Sequence, residues 1–413
     1  MDRMHDRDSY LDAEAAAARL GVSRATLYAY VSRGLIRTGG PADAVAAGAV
    51  VQDPRRRLYS AHDIEALVRR KAVGRRPDTV AATALDWGLP VLASAITEIE
   101  GGRLSYRGHD ATRWAETASL EDTARLLWGC GEADPFADPQ GIAPAWDGDL
   151  LAVFATLPLT ERCQVLLPLV AAGRATAWQR DGRRLWPGAA ALLRAMAGAA
   201  SGSAPDARPI HEHLGRVWGL DAAGADLVRR VLVLAADHEL NASAFAVRVV
   251  ASTGASLGAC LNAGLSALSG PLHGGTTSLV EILFDEVVAA GDAAGAVETR
   301  LRRGDGIPGF DHPLYPDGDP RAAALLPHLP ADRLRDDLAA VMAETAGRLP
   351  NIDFALVALR RALGLPRGSA LALFAVGRTA GWIAHALEQR RDDRLIRPRA
   401  RYVGPSAADG SAR

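Results

Sequence analysis

The sequence predicts a mainly helical protein, on three observations. Alanine, the strongest helix former, recurs in runs such as "AEAAAARLG" (13–21) and "VVAAGDAAGAV" (287–297). Between 227 and 268, "LVRRVLVLAADHELNASAFAVRVVASTGASLGACLNAGLSAL" repeats apolar and small residues at three- and four-residue intervals, the spacing of a helix face. Strand-like alternation is scarce. At 413 residues, 49% hydrophobic and 23% charged, the chain has the length for two or three domains and the composition of a soluble globular protein.

The first elements belong to a small head. "MDRMHDRDSY" is charged and lacks the apolar centre of a signal peptide. "AEAAAARLGVSRATLYAYVSRGLI" reads as helix, tight turn, helix. Ala17 sits where two crossing helices need a small side chain, Gly21 supplies the turn backbone, and Ser23 can cap the second helix. Leu20, Val22, Leu27 and Val31 form an apolar face, which leaves Arg24, Thr26, Tyr28 and Arg33 outside for phosphates or base edges. "RRRLYSAHDIEALVRRK" (55–71) reads as a short basic strand leading into a helix capped by Ser60, with Arg56 and Arg57 as further candidate DNA contacts. Arg55, Arg56 and Arg57 read equally as a solvated face. Residues 1–80 carry 14 Arg and Lys against 10 Asp and Glu, while the whole chain has a net charge of −1. A nucleic-acid partner therefore suits the head alone. "VGRRPDT" (73–79) reads as a linker.

The body opens with "SAITEIEGGRLSYRG" (94–108), a hairpin closed by Gly101-Gly102. Helical periodicity follows. Val249 to Val280 holds no Asp, Glu, Arg or Lys, but Ser, Thr, Asn and Gly recur, so it reads as a buried core helix and not a membrane span. The three cysteines, Cys130, Cys163 and Cys260, show neither disulfide nor zinc spacing, which points to a reducing cytoplasm. "HEH" (211–213) reads as solvent-facing in preference to a metal site. The tail "GPSAADGSAR" reads as disordered.

Four polar residues stand out: His238 in "DHELNAS", His273 in "GPLHGG", His312 in "GFDHPLYPDGDPR" and Asp353 in "PNIDF". Taken singly, each histidine is an ordinary satisfied polar group, and Asp353 is a helix cap. Together, and in this order, the segments resemble the active-site segments of citrate synthases. "YRGHDATRWAETASLEDTARLLW" resembles that family's early segment and "FAVGRTAGWIAHALEQ…IRPRARYVG" its C-terminal signature. The head resembles a MerR-type winged helix-turn-helix over residues 9–71.

The resemblance implies a citrate synthase-like fold with all-helical large and small domains. The head would occupy 1–76, the large domain 77–275 and 375–413, and the small domain 276–374. It implies condensation of acetyl-CoA with oxaloacetate by a homodimer, with no metal or redox cofactor and coenzyme A entering as the thioester substrate. Propionyl-CoA is the alternative acyl donor. The residue types suit that chemistry. A methyl beside a thioester is a weak carbon acid, so it needs a carboxylate base and a donor to the developing oxyanion. By the family pattern Asp353 is the base, His273 the donor, and His312 the group that protonates the alkoxide. His238, Arg321, Arg378, Phe374 and, from the neighbouring subunit, Arg397 would bind the substrates. Guanidinium forks suit di- and trianions. The glycines beside His273 are expected to let the ligand approach.

The loop departs from the family at "FDHPLYP": Asp311 precedes the histidine where relatives carry Gly, and it is expected to raise the pKa of His312. A metabolite-sensing regulator built on the synthase fold is a rival to the enzyme, although a sensor needs no proton-transfer set. A head that merely links this chain to another synthase is the third reading.

Overall fold

The computed structural model describes residues 10–32, 36–39, 58–61, 63–64, 67, 92–137, 146–171, 179, 181–400 and 402–404. The chain divides into two compact units, Met1–Ala93 and Ser94–Arg413. Arg33, Arg56 and Arg57 lie outside the described residues.

In the first unit, helices Ala13–Leu20 and Arg24–Ser32 are joined by the turn expected at Gly21, whose φ of +61° only glycine adopts without strain. Asp12 caps the first helix, accepting from the Glu14 and Ala15 amides at 2.9 and 2.8 Å. Ser23 Oγ receives the Thr26 amide at 3.2 Å. Strand Leu58–Ser60 pairs antiparallel with both Tyr10–Leu11 and Thr38–Gly39. Ala16, Ala17, Leu20, Leu27, Ile36, Tyr59, Ile64 and Leu67 close a core of their own. Two expected outward residues are engaged. Arg24 pairs with Glu14 at 3.0 Å, and Thr26 is partly buried with its hydroxyl 3.0 Å from that of Ser23. Tyr28 is exposed.

The second unit begins with the expected hairpin, Thr97–Glu100 against Arg103–Tyr106. Gly101 and Gly102 both have positive φ (+56° and +73°), as a two-residue primed turn requires. A short third strand, His109–Asp110, joins it. Tyr106 is buried, and its hydroxyl donates to the Val233 carbonyl at 3.0 Å, which pins the hairpin to the end of helix Ala222–Leu234.

Helix Ser369–Asp392 is the hub. It packs against helices Leu120–Trp128, Gly182–Ser201, Ala222–Leu234, Ala242–Ser252, Leu257–Leu268 and Ile352–Ala362. It is long and apolar enough to cross a membrane, yet 94% of its apolar window is buried inside the protein, as for a core helix. Close crossing is built in at Gly381: its amide donates to the Ala236 carbonyl at 3.0 Å, and a Cβ there would strike that carbonyl and the Asp237 carboxylate. At the helix's far end, fully buried Arg248 ties down Glu388 at 2.8 Å, Gln389 at 2.8 Å and Asp392 at 3.2 Å.

A second group of helices forms around Thr276–Ala290, which packs on Ala293–Arg303, Arg333–Ala346 and Ile352–Ala362. The position expected to end a small domain, Phe374, lies inside the unbroken hub helix. The charge-free run 249–280 is not one helix. Gly254 (φ +82°) breaks it, as does the turn 269–275, so it contributes to helices Ala242–Ser252, Leu257–Leu268 and Thr276–Ala290.

Candidate active site

The segments singled out in the sequence converge on the hub helix. His238 follows helix Ala222–Leu234, and its ring lies 4.8 Å edge-on from that of His312. On the hub helix, Arg378 spreads its guanidinium 4.5 Å over the Phe374 ring, and Phe374 meets His273 at 6.4 Å. Asp353, in the first turn of helix Ile352–Ala362, feels the charges of Arg321 and Arg378. Arg397 does not join this cluster within one chain. It is exposed on the extended segment after the hub helix.

Burial is the main influence on the charge of these groups. Asn351, not Asp353, caps its helix, accepting from the Asp353 amide at 3.0 Å. Asp353 is thereby released from the capping role. Burial, reinforced by Asp319 and opposed by Arg321 and Arg378, pushes its carboxyl up to about 6. Burial and Arg378 lower His273 to about 4, and burial and Arg321 lower His312 to about 4. The expected rise at His312 does not occur. Asp311 adopts φ +58° and turns away, its carboxylate 3.2 Å from Arg348 Nε and 3.3 Å from the Leu349 amide. The neutral His312 ring accepts the Leu314 amide on Nδ1 at 3.2 Å, so its own proton sits on Nε2.

His273 Nε2 lies 2.9 Å from Ser243 Oγ, which also receives Trp382 Nε1 at 3.1 Å and reaches Asn241 Oδ1 at 2.8 Å. A hydroxyl donating to Asn241 accepts from His273. Turned toward Nε2 instead, it places the imidazole proton on Nδ1. Ser243 thus sets which ring nitrogen can donate. The glycines after His273 are required by the chain itself: a Cβ on Gly274 would strike the Leu268 carbonyl, and one on Gly275 would come 2.8 Å from Pro271 Cα.

The arginines differ. Arg321 is buried and paired through Nε and Nη2 with Asp319, at 2.9 and 2.7 Å. Asp319 also caps helix Pro320–Leu325 and accepts the Ile352 amide at 3.0 Å, one residue before Asp353. Arg378, 1% exposed, donates from Nε to the Ala235 carbonyl at 2.9 Å, but its buried Nη2 has no protein partner. Burial lowers its pKa to about 10, against the opposing pull of Asp237. An unsatisfied buried guanidinium nitrogen is costly, and a ligand carboxylate is the natural remedy.

A family model described as "Citrate synthase, C-terminal domain" matches residues 84–399. The chain belongs to the citrate synthase family. "Putative citrate synthase 2" of Mycobacterium tuberculosis is 34% identical over 359 residues, covering 77% of this chain and 92% of that one. The citrate synthase of Haloferax volcanii is 32% identical over 363 residues, covering 78% and 96%. The 2-methylcitrate synthase of Mycobacterium tuberculosis is 30% identical over 370 residues, covering 80% and 92%. Among solved structures, the Thermotoga maritima citrate synthase aligns with a TM-score of 0.63 at 27% identity over 77% of this chain and 94% of that one. The Thermoplasma acidophilum enzyme, solved as a ternary complex with carboxymethyl coenzyme A and oxaloacetate, shares the fold with a TM-score of 0.64 at 22% identity, over 79% and 96%.

Sequence reasoning did not single out Ser243, Trp382, Tyr315 or Asp319 for this citrate synthase-type site. Tyr315 and Asp319 sit within the quoted "HPLYPDGDPR", where an aromatic between two prolines was the available signal. Ser243 and Trp382 act through contacts over 30 and 139 residues of chain, which no local pattern reveals.

"HEH" also differs from expectation. His213 is buried, with Nε2 2.9 Å from Ser203 Oγ and Nδ1 3.1 Å from Asp206. Asp206 is shared with Arg208 and Arg216, and the Ser203 amide is tied to the Gly198 carbonyl at 2.8 Å, so the trio locks the turn 202–209 onto helix Ile210–Val217. Among the described residues, no three His, Cys, Asp or Glu side chains gather as metal ligands.

Proposed function

We propose that this chain is a citrate synthase that condenses acetyl-CoA with oxaloacetate and water to give citrate and coenzyme A. One observation carries the reading: a carboxyl held near 6, Asp353, shares its electrostatic surroundings with a buried guanidinium nitrogen of Arg378 that lacks a partner. The first suits a base poised for a weak carbon acid, and the second suits a carboxylate substrate.

Asp353 removes a proton from the acetyl methyl. His273 is the donor to the thioester oxygen as charge develops there, a role for its Nδ1 that requires the Ser243 hydroxyl to turn from Asn241 Oδ1 to His273 Nε2. The new carbon nucleophile attacks the keto carbon of oxaloacetate, and His312 gives its Nε2 proton to the resulting alkoxide. Neutral imidazoles serve both steps, because both rings titrate near 4. Arg378, the free edge of Arg321 and the partner subunit's Arg397 hold the carboxylates, His238 borders the keto group, and Phe374 packs against the substrate. Water then cleaves the citryl thioester and releases coenzyme A.

A homodimer is part of the proposal. Leu395, Tyr402 and Val403, on the segment that carries Arg397, are 60%, 76% and 82% exposed, as suits burial against a second copy. The helices that group around Thr276–Ala290, ahead of the hub helix that begins at Ser369, would close over the rest of the second unit during the reaction. All three thiols are buried and unpaired, which suits a reducing cytoplasm. The first unit serves as a MerR-type winged helix-turn-helix that binds DNA: its two capped helices and three-stranded sheet support this, with exposed Tyr28 as the described contact residue.

The test is release of free coenzyme A thiol from acetyl-CoA and from propionyl-CoA, each with and without oxaloacetate. Oxaloacetate-dependent release, faster with acetyl-CoA and reduced about 10³-fold or more in Asp353→Asn, is the expected result. Faster release with propionyl-CoA would make the chain a 2-methylcitrate synthase. No release from protein that still binds oxaloacetate would overturn the enzyme.

A further inference from the structure

One stripe of the hub helix grips the segment that presents His238. Arg378, Gly381 and His385 stand three and four residues apart, the spacing of a single helix face. They meet Ala235, Ala236 and Asp237 in turn. Arg378 Nε donates to the Ala235 carbonyl at 2.9 Å, and the Gly381 amide donates to the Ala236 carbonyl at 3.0 Å. His385 Nε2 lies 3.3 Å from Asp237 Oδ1. The next residue is His238, whose Nε2 lies 2.9 Å from the Tyr315 hydroxyl and whose ring faces that of His312.

We propose that His385 is a positioning residue of the reaction: through the Asp237 carboxylate it fixes the place of His238 against the 2-oxo acid. The inference rests on the synthase reading above.

The first two grips hold backbone carbonyls, and they leave residue 237 free to rotate about its own backbone. That rotation sets where His238 points. Tyr106 closes the other side of the segment, but its contacts with the Asp237 carbonyl and amide are long, at 3.4 and 3.5 Å. The hold on the Asp237 side chain is therefore the one that fixes the residue before His238. Asp237 and His385 are both fully buried, so water is no substitute for either. A carboxylate in that position is costly unless a polar group faces it. Thr97 and the Arg378 charge lie nearby, but Arg378 has its Nη2 left over for a substrate. His385 is committed to Asp237 alone: among the described residues, neither of its ring nitrogens makes a hydrogen bond elsewhere. The approach is also tight. A Cβ on Gly381, one turn before His385, would strike the Asp237 carboxylate.

Two amides at position 385 separate reach from polarity. The Gln amide extends to about where Nε2 stands, whereas the Asn amide ends about where Nδ1 stands. On the full-length protein, His385→Asn is expected to raise the Kd for oxaloacetate, read by calorimetry, and its KM roughly tenfold, with the KM for acetyl-CoA unchanged. His385→Gln is expected to stay within about twofold of the wild type in all three. Unchanged oxaloacetate constants in His385→Asn would overturn the proposal, and so would a His385→Gln variant as impaired as His385→Asn. A rise in both KM values with a lower melting temperature would mark a general loss of packing and would also count against it. Where His385→Asn does not fold, His385→Leu, which equally lacks a group to meet Asp237, carries the same expectation. Failure of both to fold would reduce the pair to a structural tie and overturn the proposal too. Failure of the synthase reading is separate, since it would appear as absent thiol release in the wild type while calorimetry still reports oxaloacetate binding.

Discussion

At Asp353, stability and chemistry pull in opposite directions. Its carboxyl titrates at about 6 in the fold against a usual 3.8, so the folded state holds the proton more tightly than the unfolded chain. The associated stability is fully present below pH 3.8 and is lost as pH rises through 6. Two units correspond to about 3 kcal/mol at most. Asp353→Asn, which carries no charge to bury, is therefore expected to unfold at higher urea than the wild type at pH 8, with the gain vanishing near pH 4, even as activity disappears. Equal midpoints at pH 8 would mean that the carboxylate is well solvated. The same titration governs the rate: kcat/KM for acetyl-CoA should rise with pH through a single limb near 6. Because His273 and His312 are lowered to about 4, no second limb is expected between pH 6 and 8. Their stability linkage has the other sign, being complete above 6.5 and lost as pH falls toward 4. The three histidines and Asp353 were legible in the sequence because each lies in a short stretch of unusual composition. Their supporting groups were not. Trp382, for instance, reads as an ordinary apolar residue of a core helix until the fold brings its indole to Ser243.

The elements were legible in proportion to how local their causes are. The Gly101-Gly102 hairpin follows from backbone sterics alone. So does the start of helix Leu120–Trp128, where Ser119 and Asp122 form a reciprocal capping box. Misreading the charge-free run as one helix came from composition outweighing punctuation. Gly254 and the "SGPLHGG" turn were visible, but burial on all sides removed the amphipathic contrast that marks helix boundaries. The hub helix makes the point quantitatively. Its Gly381 is required by neighbours far away in sequence, since the Ala236 carbonyl and the Asp237 carboxylate occupy the space where a Cβ would go. Asp237 is fully buried and precedes His238. Gly381→Ala is thus expected to destabilise the protein by about 1–3 kcal/mol through overpacking. It should also raise the oxaloacetate KM, because the displaced segment carries His238. Urea unfolding together with kinetics would check both, and an unaffected KM would mean that the segment around 237 yields without moving His238.

For the molecule as a whole, the two units have separate hydrophobic cores, one built from Ala16 to Leu67 and the other from Ile96 to Leu387. Every described catalytic candidate lies in the second. Removal of residues 1–93 is accordingly expected to leave oxaloacetate-dependent thiol release within about twofold of the full chain, the latitude that surface changes allow; a larger loss would assign the head a part in catalysis. The exposed segment bearing Arg397 carries a stronger prediction. If a two-fold dimer supplies that arginine across the interface, each site combines Asp353 of one chain with Arg397 of the other. Arg397→Ala and Asp353→Asn homodimers would each be nearly inactive. Co-expressed, they would form heterodimers in which one site carries both lesions and the other carries neither. Random pairing makes half the dimers heterodimeric, so total activity is expected to recover to about a quarter of wild type. Arg397 acting within its own chain predicts no recovery, because every site would then keep one lesion. Recovery that follows the heterodimer fraction on separation of differently tagged chains would locate the arginine in trans, and with it the reason a site so complete in its histidines and Asp353 lacks one of its expected arginines in a single chain.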